Sequence, residues 1–495
     1  MANLFLRKPF EKLLSEAENA EAGLRRTLGP FSLIALGIGA IIGAGLFVRT
    51  AAAIADCAGP SVTLGFLLAG VGCAFAGLCY AEFASMIPIA GSAYTYAYAT
   101  MGELMAWIIG WDLVLEYAIG AATVAIAWSQ YFNRLLGFFH VQIPYRWCHA
   151  PTEFMLDDAG HKIHGLINLP ALGILLALTL VLIRGTKESA LVNSFIVVMK
   201  VGIVLLVIVL GWSFINPANH TPYIPEATKY VDPSGVSHSF GGFWGIVNAA
   251  GVVFFAFIGF DAVSTTAQEA KNPKRDMPIG ILGSLVICTA LYILFAHVLS
   301  GIATVDDFRH EGREASVAYA ISTYMHGYEW LSKLTTVAIL GGFSSVILVM
   351  LLGQSRVFYS MSCDGLVSPI FSEVHPIFRT PYKSNITFFF LTAAFAAFVP
   401  EDIVGDMTSI GTLFAFILVS AGVWIMRVKN PDAPRQFRVP AAPVISVLGV
   451  ACNGLMIYGL GWTNWARLGA WLLVGLGIYF GYGIRHSKLR NDPAT

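Results

Sequence analysis

The sequence predicts an all-α polytopic membrane protein of about twelve transmembrane helices. Three observations carry that prediction. Of 495 residues, 56% are apolar and only 12% are charged, roughly half the charged share of an ordinary soluble chain. Mean hydropathy is +0.69. Apolar windows of about 20 residues, the length that crosses a bilayer, recur along the chain. They leave no room for a large soluble domain.

The spans follow in order, each an apolar run bounded by polar or charged loops. Span 1 covers Phe31 to Ile54 and span 2 Ser61 to Phe83. Span 3 is long, from Gly102 to about Phe132. Span 4 covers Leu169 to Ile183, span 5 Ser189 to Trp212 and span 6 Phe243 to Thr266. Span 7 covers Pro278 to Ile302 and span 8 Leu331 to Met361. Spans 9 to 12 cover Ile386 to Val399, Ile403 to Met426, Pro443 to Leu460 and Trp465 to Ile484. Basic residues gather in alternate loops: Arg7, Lys8, Lys12, Arg25 and Arg26 before span 1, Arg184 and Lys187 after span 4, Lys271, Lys274 and Arg275 after span 6. Arg356, Arg379 and Lys383 come at the end of span 8 and after it, Arg427, Lys429, Arg435 and Arg438 after span 10, and Arg485, Lys488 and Arg490 close the chain. The positive-inside rule places those loops and both termini in the cytoplasm. Met1 to Arg26 has no apolar h-region, so no cleavable signal peptide is predicted and span 1 directs insertion. The seven cysteines form no evident disulfide framework, and no ligand-spaced Cys/His cluster appears.

One charge stands out. Lys200 lies mid-way along span 5, about ten residues or roughly 15 Å from either end. An ammonium at that depth costs roughly 3 kcal/mol on insertion scales. It needs a partner, a proton equilibrium, or both, which makes Lys200 the candidate proton-coupling group. The alternative is a permanently charged tie between helices.

Two spans are rich in glycine at mid-depth. Span 1 contains Gly37-Ile-Gly-Ala-Ile-Ile-Gly43-Ala44-Gly45-Leu-Phe47, and span 6 contains Gly251-Val-Val-Phe-Phe255-Ala256-Phe257-Ile258-Gly259-Phe260-Asp261. Each interior glycine costs about 1 kcal/mol relative to alanine. Small residues also serve simple helix packing. Their position favours unwinding, because interrupted helices at corresponding points of two halves mark a midplane site between repeats.

These segments resemble signatures of the amino acid–polyamine–organocation superfamily, and of its cationic amino acid transporter family. Gly39 to Phe47 is similar to the family's first-helix signature. Tyr80-Ala-Glu-Phe-Ala84 and Pro88 to Tyr96 resemble its second helix and the segment after it. Gly110-Trp-Asp-Leu-Val-Leu-Glu-Tyr-Ala-Ile-Gly120 resembles its third. Gly259 to Ser264, Glu269 to Pro278, Arg356 to Gly365 and Phe437 to Pro440 are similar to later motifs. The matches are spread over the whole chain. They imply a leucine-transporter-like fold: two inverted five-helix repeats (30–215 and 240–427) with broken helices 1 and 6, and two extra helices (440–485). A cytoplasmic segment (1–29) precedes them and a cytoplasmic tail (486–495) follows. The resemblance also implies transport of amino acids by alternating access.

It implies a site as well. The substrate carboxylate falls to the amides of Gly43, Ala44 and Gly45, at the positive end of a half-helix. The ammonium falls to carbonyls of Ile41, Phe255, Ala256 and Ile258. Lys200 corresponds to a lysine of proton-coupled relatives, with its ammonium near the span 1 carbonyls around Gly39 and near Ser344 or Ser345. Glu116 and Asp112 lie one turn apart on span 3; Glu116 lines the pocket or holds span 3 to a neighbour. Asp261 is placed to cap the second half of span 6. Met350 narrows the side-chain end of the pocket, which favours small or medium neutral L-amino acids over arginine or lysine, although Met350 alternatively just packs the bundle. The leading function is a proton-coupled amino acid symporter of the bacterial inner membrane. An exchanger and a cationic amino acid transporter are the alternatives. The expected partners are the L-amino acid, protons and the bilayer, with no cofactor, metal or nucleic acid; an accessory subunit stays open. A sensor lacks its soluble domain, an enzyme its His-Glu-x-x-His, Walker sequence or paired carboxylates, and a channel its filter segment.

Overall fold

The structure, a computed structural model, describes residues 4–9, 28–86, 92–156, 161–185, 190–231, 237–261, 263–264, 270–310, 315–432, 435 and 437–491. The basic residues Lys12, Arg25, Arg26 and Lys187, the family-like segment 87–91 and the last residues of span 6 lie outside them. Among the described residues, eight helices are long and apolar enough to cross a membrane. Three shorter apolar helices accompany them: Pro30–Ile41, Leu169–Arg184 and Gly242–Phe257.

Span 1 begins as Pro30–Ile41, with proline in the first turn, where its missing N–H costs no helical bond. The helix stops at Ile42, whose backbone is extended (ψ 107°). It resumes at Gly45 and reaches Ala58 through two wide turns, Gly45–Arg49 and Ile54–Ala58. Gly59, at φ +54°, turns the chain into span 2, Val62–Met86. Span 3 winds from Glu103 to Gly137 with one wide turn at Leu115–Ile119. Such turns recur at functional sites. Spans 4 and 5 are Leu169–Arg184 and Ala190–Gly211. Span 6 runs as Gly242–Val253, tightens over Phe254–Phe257 and then breaks. Spans 7, 8, 9 and 10 are Pro273–Ile302, Glu329–Cys363, Tyr382–Phe398 and Glu401–Lys429. Spans 11 and 12 begin at Ala442 and Trp462.

Local order in the connections exceeds the sequence prediction. The loops between spans 3 and 4 and between spans 5 and 6 carry two antiparallel hairpins, Phe154–Leu156 with Lys162–His164 and Thr228–Val231 with Ser237–Phe240. Helices Ser92–Thr100 and Ser316–Tyr324 were not predicted as spans and are too short to be spans.

Span 7 packs along span 2 and along the first half of span 1, and span 8 packs along the second half of span 3. A Cβ on Gly70 of span 2 would lie 2.7 Å from Thr289 of span 7. Small residues give that close approach in lipid, where no hydrophobic drive presses helices together. Large apolar side chains such as Phe195, Val209, Val286, Phe390 and Leu473 face outward.

Several charges at the span ends are paired. At one end, Glu82 takes both Arg427 Nε (2.9 Å) and Nη2 (2.6 Å). Glu103 accepts from Arg490 (2.6 Å) and Tyr479 (2.8 Å), and Lys8 meets Asp364 at 2.8 Å. The chain termini are thereby tied to spans 3 and 8. At the opposite end Arg49, in the second half of span 1, is buried against Asp406 and Asp402 of span 10. Asn464 at the start of span 12 donates to the same Asp406 at 3.1 Å.

Candidate functional site

The two breaks touch. A Cβ on Gly45 would collide with the backbone of Ala256, and one on Gly259 would come within 2.9 Å of the Ala40 carbonyl oxygen. Gly259 also stands at φ +103°, a conformation that L side chains rarely adopt. Glycine is thus required at Gly45 by contact and at Gly259 by both contact and conformation.

Breaking a helix leaves carbonyls without partners at the end of the first half and amides without partners at the start of the second. In span 1, Ile38 O still receives the Ile42 amide at 3.0 Å. The next carbonyls find other partners. Lys200 Nζ donates to Gly39 O at 2.9 Å, and Tyr292 Oη lies 3.1 Å from Ile41 O. Ala40 O rests against Gly259. Among the described residues, no backbone hydrogen bond outside the helices closes on the amides of Gly43, Ala44 or Gly45. Those amides sit at the N-terminal end of the second half of span 1, where a helix favours an anion.

Span 6 repeats the pattern with different partners. Phe255 O accepts from the Ile258 amide at 3.3 Å. Ala256 O lies 2.9 Å from the same Tyr292 hydroxyl. Ile258 is extended (ψ 137°) and leads into Gly259.

Lys200 is 2% exposed. Its stem passes over Gly342 of span 8, where a Cβ would lie 3.0 Å from Cε. A Cβ on Gly39 would collide with Val197, one turn before Lys200 on span 5. Two glycines therefore let the lysine lie between spans 1 and 8. Ser344 Oγ donates to Leu340 O at 2.9 Å and receives Trp128 Nε1 at 3.1 Å. Among the described residues, no hydrogen bond joins Lys200 to Ser344 or Ser345.

Glu116 sits in the wide turn of span 3, fully buried beside Asp261 of span 6 and Thr412 of span 10. Asp261 accepts a 2.9 Å bond from Tyr117. Of the segment that it was expected to cap, only Val263 and Ser264 are among the described residues. Met350 is buried against span 3, where a Cβ on Gly120 would meet its sulfur at 3.4 Å.

Two residues that sequence reasoning missed belong to this constellation. Arg49 had a signal: a cation in an apolar run, with Asp402 and Asp406 one turn apart on span 10. Tyr292 had none, since a tyrosine in an apolar span does not announce its partner.

A helical membrane protein with two interrupted, touching spans and a buried ammonium on the carbonyl end of one break has the framework of a small-molecule permease. Comparisons with known proteins agree with that class. The family model for amino acid permease matches residues 28–468. The branched-chain amino acid permease BcaP of Bacillus subtilis is 42% identical over 98% of this chain and 99% of its own. The methylthioribose transporter of the same organism is 38% identical, over 99% of this chain and all of its own. Human cationic amino acid transporter 4 is 27% identical over 96% of this chain and 89% of its own. The chain belongs to the amino acid permease family, within the amino acid–polyamine–organocation superfamily that its motifs resemble. It is a multi-pass membrane protein, and the relatives are permeases and transporters rather than enzymes.

Proposed function

We propose that the protein imports neutral L-amino acids, branched-chain ones foremost, by proton-coupled symport across a bacterial inner membrane. The observation that carries this reading is the contact of the two breaks beside Lys200, whose ammonium caps Gly39 O. The 42% identity to a permease named for branched-chain amino acids supports the substrate class. In this reading twelve spans form two inverted five-helix repeats, residues 30–215 and 240–427, with 440–485 as the two extra helices. Segments 1–29 and 486–495 are cytoplasmic.

The substrate carboxylate accepts from the amides of Gly43, Ala44 and Gly45. Its ammonium donates to carbonyls among Ile41, Phe255, Ala256 and Ile258. Met350 limits the side-chain end, which favours leucine, isoleucine, valine or alanine over arginine. Protonated Lys200 holds the end of the first half of span 1 through Gly39 O. When its proton passes to cytoplasmic water, that tie is lost and the half-helix swings to release the substrate. Ser344 and Ser345 of span 8 are the supporting hydroxyls in this reading. Tyr117, beside Glu116 on span 3, ties Asp261 of span 6 next to the break.

Uptake into proteoliposomes tests the reading. Radiolabelled leucine, alanine, arginine and methylthioribose are compared with and without an inward proton gradient. Leucine uptake stimulated by the gradient is expected, with arginine and methylthioribose well below it. Arginine above leucine would overturn the substrate assignment. Uptake that requires internal amino acid and ignores the gradient would make the protein an exchanger.

A further inference from the structure

Tyr292 of span 7 faces both breaks at once. Its hydroxyl lies 3.1 Å from Ile41 O and 2.9 Å from Ala256 O. These are the carbonyl ends of the two interrupted spans. The residue is fully buried. Its ring is wedged between Phe66 of span 2 at 5.5 Å and Phe257 of span 6 at 5.4 Å between centroids. Cys288, one turn earlier on span 7, lies beside Lys200. One face of span 7 thus reads the coupling lysine and both breaks.

The donor count decides what this contact can do. A phenol carries one proton. Two carbonyls, each with two lone pairs, cannot both be filled by it. A buried carbonyl left short of a donor costs about 1–3 kcal/mol. The pair is therefore held together yet under-supplied, and a group with several N–H donors completes it. An α-ammonium has three.

Resting on the amino acid reading above, we propose that Tyr292 is a positioning residue for the substrate ammonium. It holds Ile41 O and Ala256 O, from opposite repeats, within reach of one nitrogen. It acts through those carbonyls, and recognition of the carboxylate end does not depend on it. The hydroxyl makes the two breaks one binding surface, so closing around the ammonium moves spans 1 and 6 together.

Tyr292→Phe keeps the wedged ring and removes the hydroxyl. Wild-type and variant protein in proteoliposomes are assayed for leucine uptake and for its inhibition by 4-methylpentanoate, which is leucine without the ammonium. The expected result is a leucine KM raised about tenfold or more, with the maximal rate much less affected. Inhibition by 4-methylpentanoate is expected to stay within about twofold of wild type. A purely structural role would lower the maximal rate and weaken both ligands alike, and that result overturns the proposal, as does an unchanged leucine KM. Should Tyr292→Phe fail to fold, 3-fluorotyrosine at position 292 alters the hydroxyl's donor strength without changing its packing. A leucine KM that shifts while the 4-methylpentanoate constant stays fixed supports the proposal, and a KM indifferent to fluorination overturns it. Failure of the wild-type protein to move any amino acid would instead defeat the functional reading on which this rests.

Discussion

The breaks in spans 1 and 6 have the same cause and different caps. Both arise in glycine tracts, and both end in carbonyls that no helical amide can reach. In span 1 those carbonyls are capped by an ammonium, Lys200 on Gly39 O, and by the Tyr292 hydroxyl on Ile41 O. In span 6 the Ile258 amide caps Phe255 O, and Ala256 O shares the single proton of the same hydroxyl with Ile41 O, with Asp261 just beyond held by Tyr117. One break is held partly by a group that can lose its charge. The other is held by groups that keep their protons. Proton coupling, in this account, acts on span 1, and span 6 follows through backbone contact and the shared tyrosine.

The first way to break this comparison is to push the two breaks apart. Gly45→Val places a side chain into the Ala256 backbone, and overpacking of this kind costs about 1–3 kcal/mol or more. We expect leucine uptake to fall by at least about tenfold while the protein still inserts, since a tenfold rate loss needs only about 1.4 kcal/mol. Equal uptake would show that the breaks need not touch.

Next comes the second half of span 1. Arg49 is buried against Asp402 and Asp406. Removing the arginine leaves Glu401 buried without its cation, while Asp402 and Asp406 keep partial access to water; breaking a buried charge pair is destabilising. Arg49→Met is therefore expected to lower the detergent melting temperature strongly, whereas the double change Arg49→Met with Asp406→Leu recovers much of it. No recovery would mean that Asp406 is not the acid that Arg49 chiefly compensates in this cluster.

A smaller loss is expected in span 6. Gly259→Ala forces a Cβ into φ +103° and towards Ala40 O, a strain of about 1–3 kcal/mol. Thermal unfolding should show it, with a rise in KM as the geometry of the second break shifts. Met350→Ala leaves both breaks alone and widens the other end of the site. It is expected to raise uptake of bulky side chains relative to alanine by a few-fold, about 1 kcal/mol of discrimination. An unchanged ratio would mean that Met350 only packs against Gly120.

The smallest effect lies outside the spans. Burial pushes the Asp307 carboxyl up, but bonds from Tyr324, the Thr304 hydroxyl and the Thr304 amide outweigh it and hold the group below its ordinary value. A lowered folded value means that this stabilisation is fully present above the unfolded carboxylate range, about pH 4, and is lost as pH falls below it. Asp307→Asn should shift the neutral-pH melting temperature slightly and flatten its acid limb, leaving transport intact.

The helical, membrane-spanning character was legible because lipid demands long apolar runs, and eight of the described helices are long and apolar enough to cross a membrane; span 6 departs from its run, its helix ending at Phe257 rather than continuing to Thr266. Gly37 to Gly45 and Gly251 to Gly259 were legible as places where a helix unwinds. Lys200 was legible as a charge that needed a partner, but a sequence does not say which carbonyl lies across the gap. Tyr292 and Arg49 were missed for the same reason: their roles are set by what faces them from other spans. The loop hairpin of Thr228–Val231 and Ser237–Phe240 was missed because its strands are short and largely polar, and pair by backbone bonds that carry no side-chain pattern.

The central claim is that a proton on Lys200 sets the state of the span 1 break. Leucine uptake driven by an inward proton gradient, compared with leucine exchange at equal internal and external concentration, tests it most directly in Lys200→Ala. Gradient-driven uptake should vanish and lose its pH dependence, while exchange persists. Retention of gradient-driven uptake with the wild-type pH profile would contradict the account.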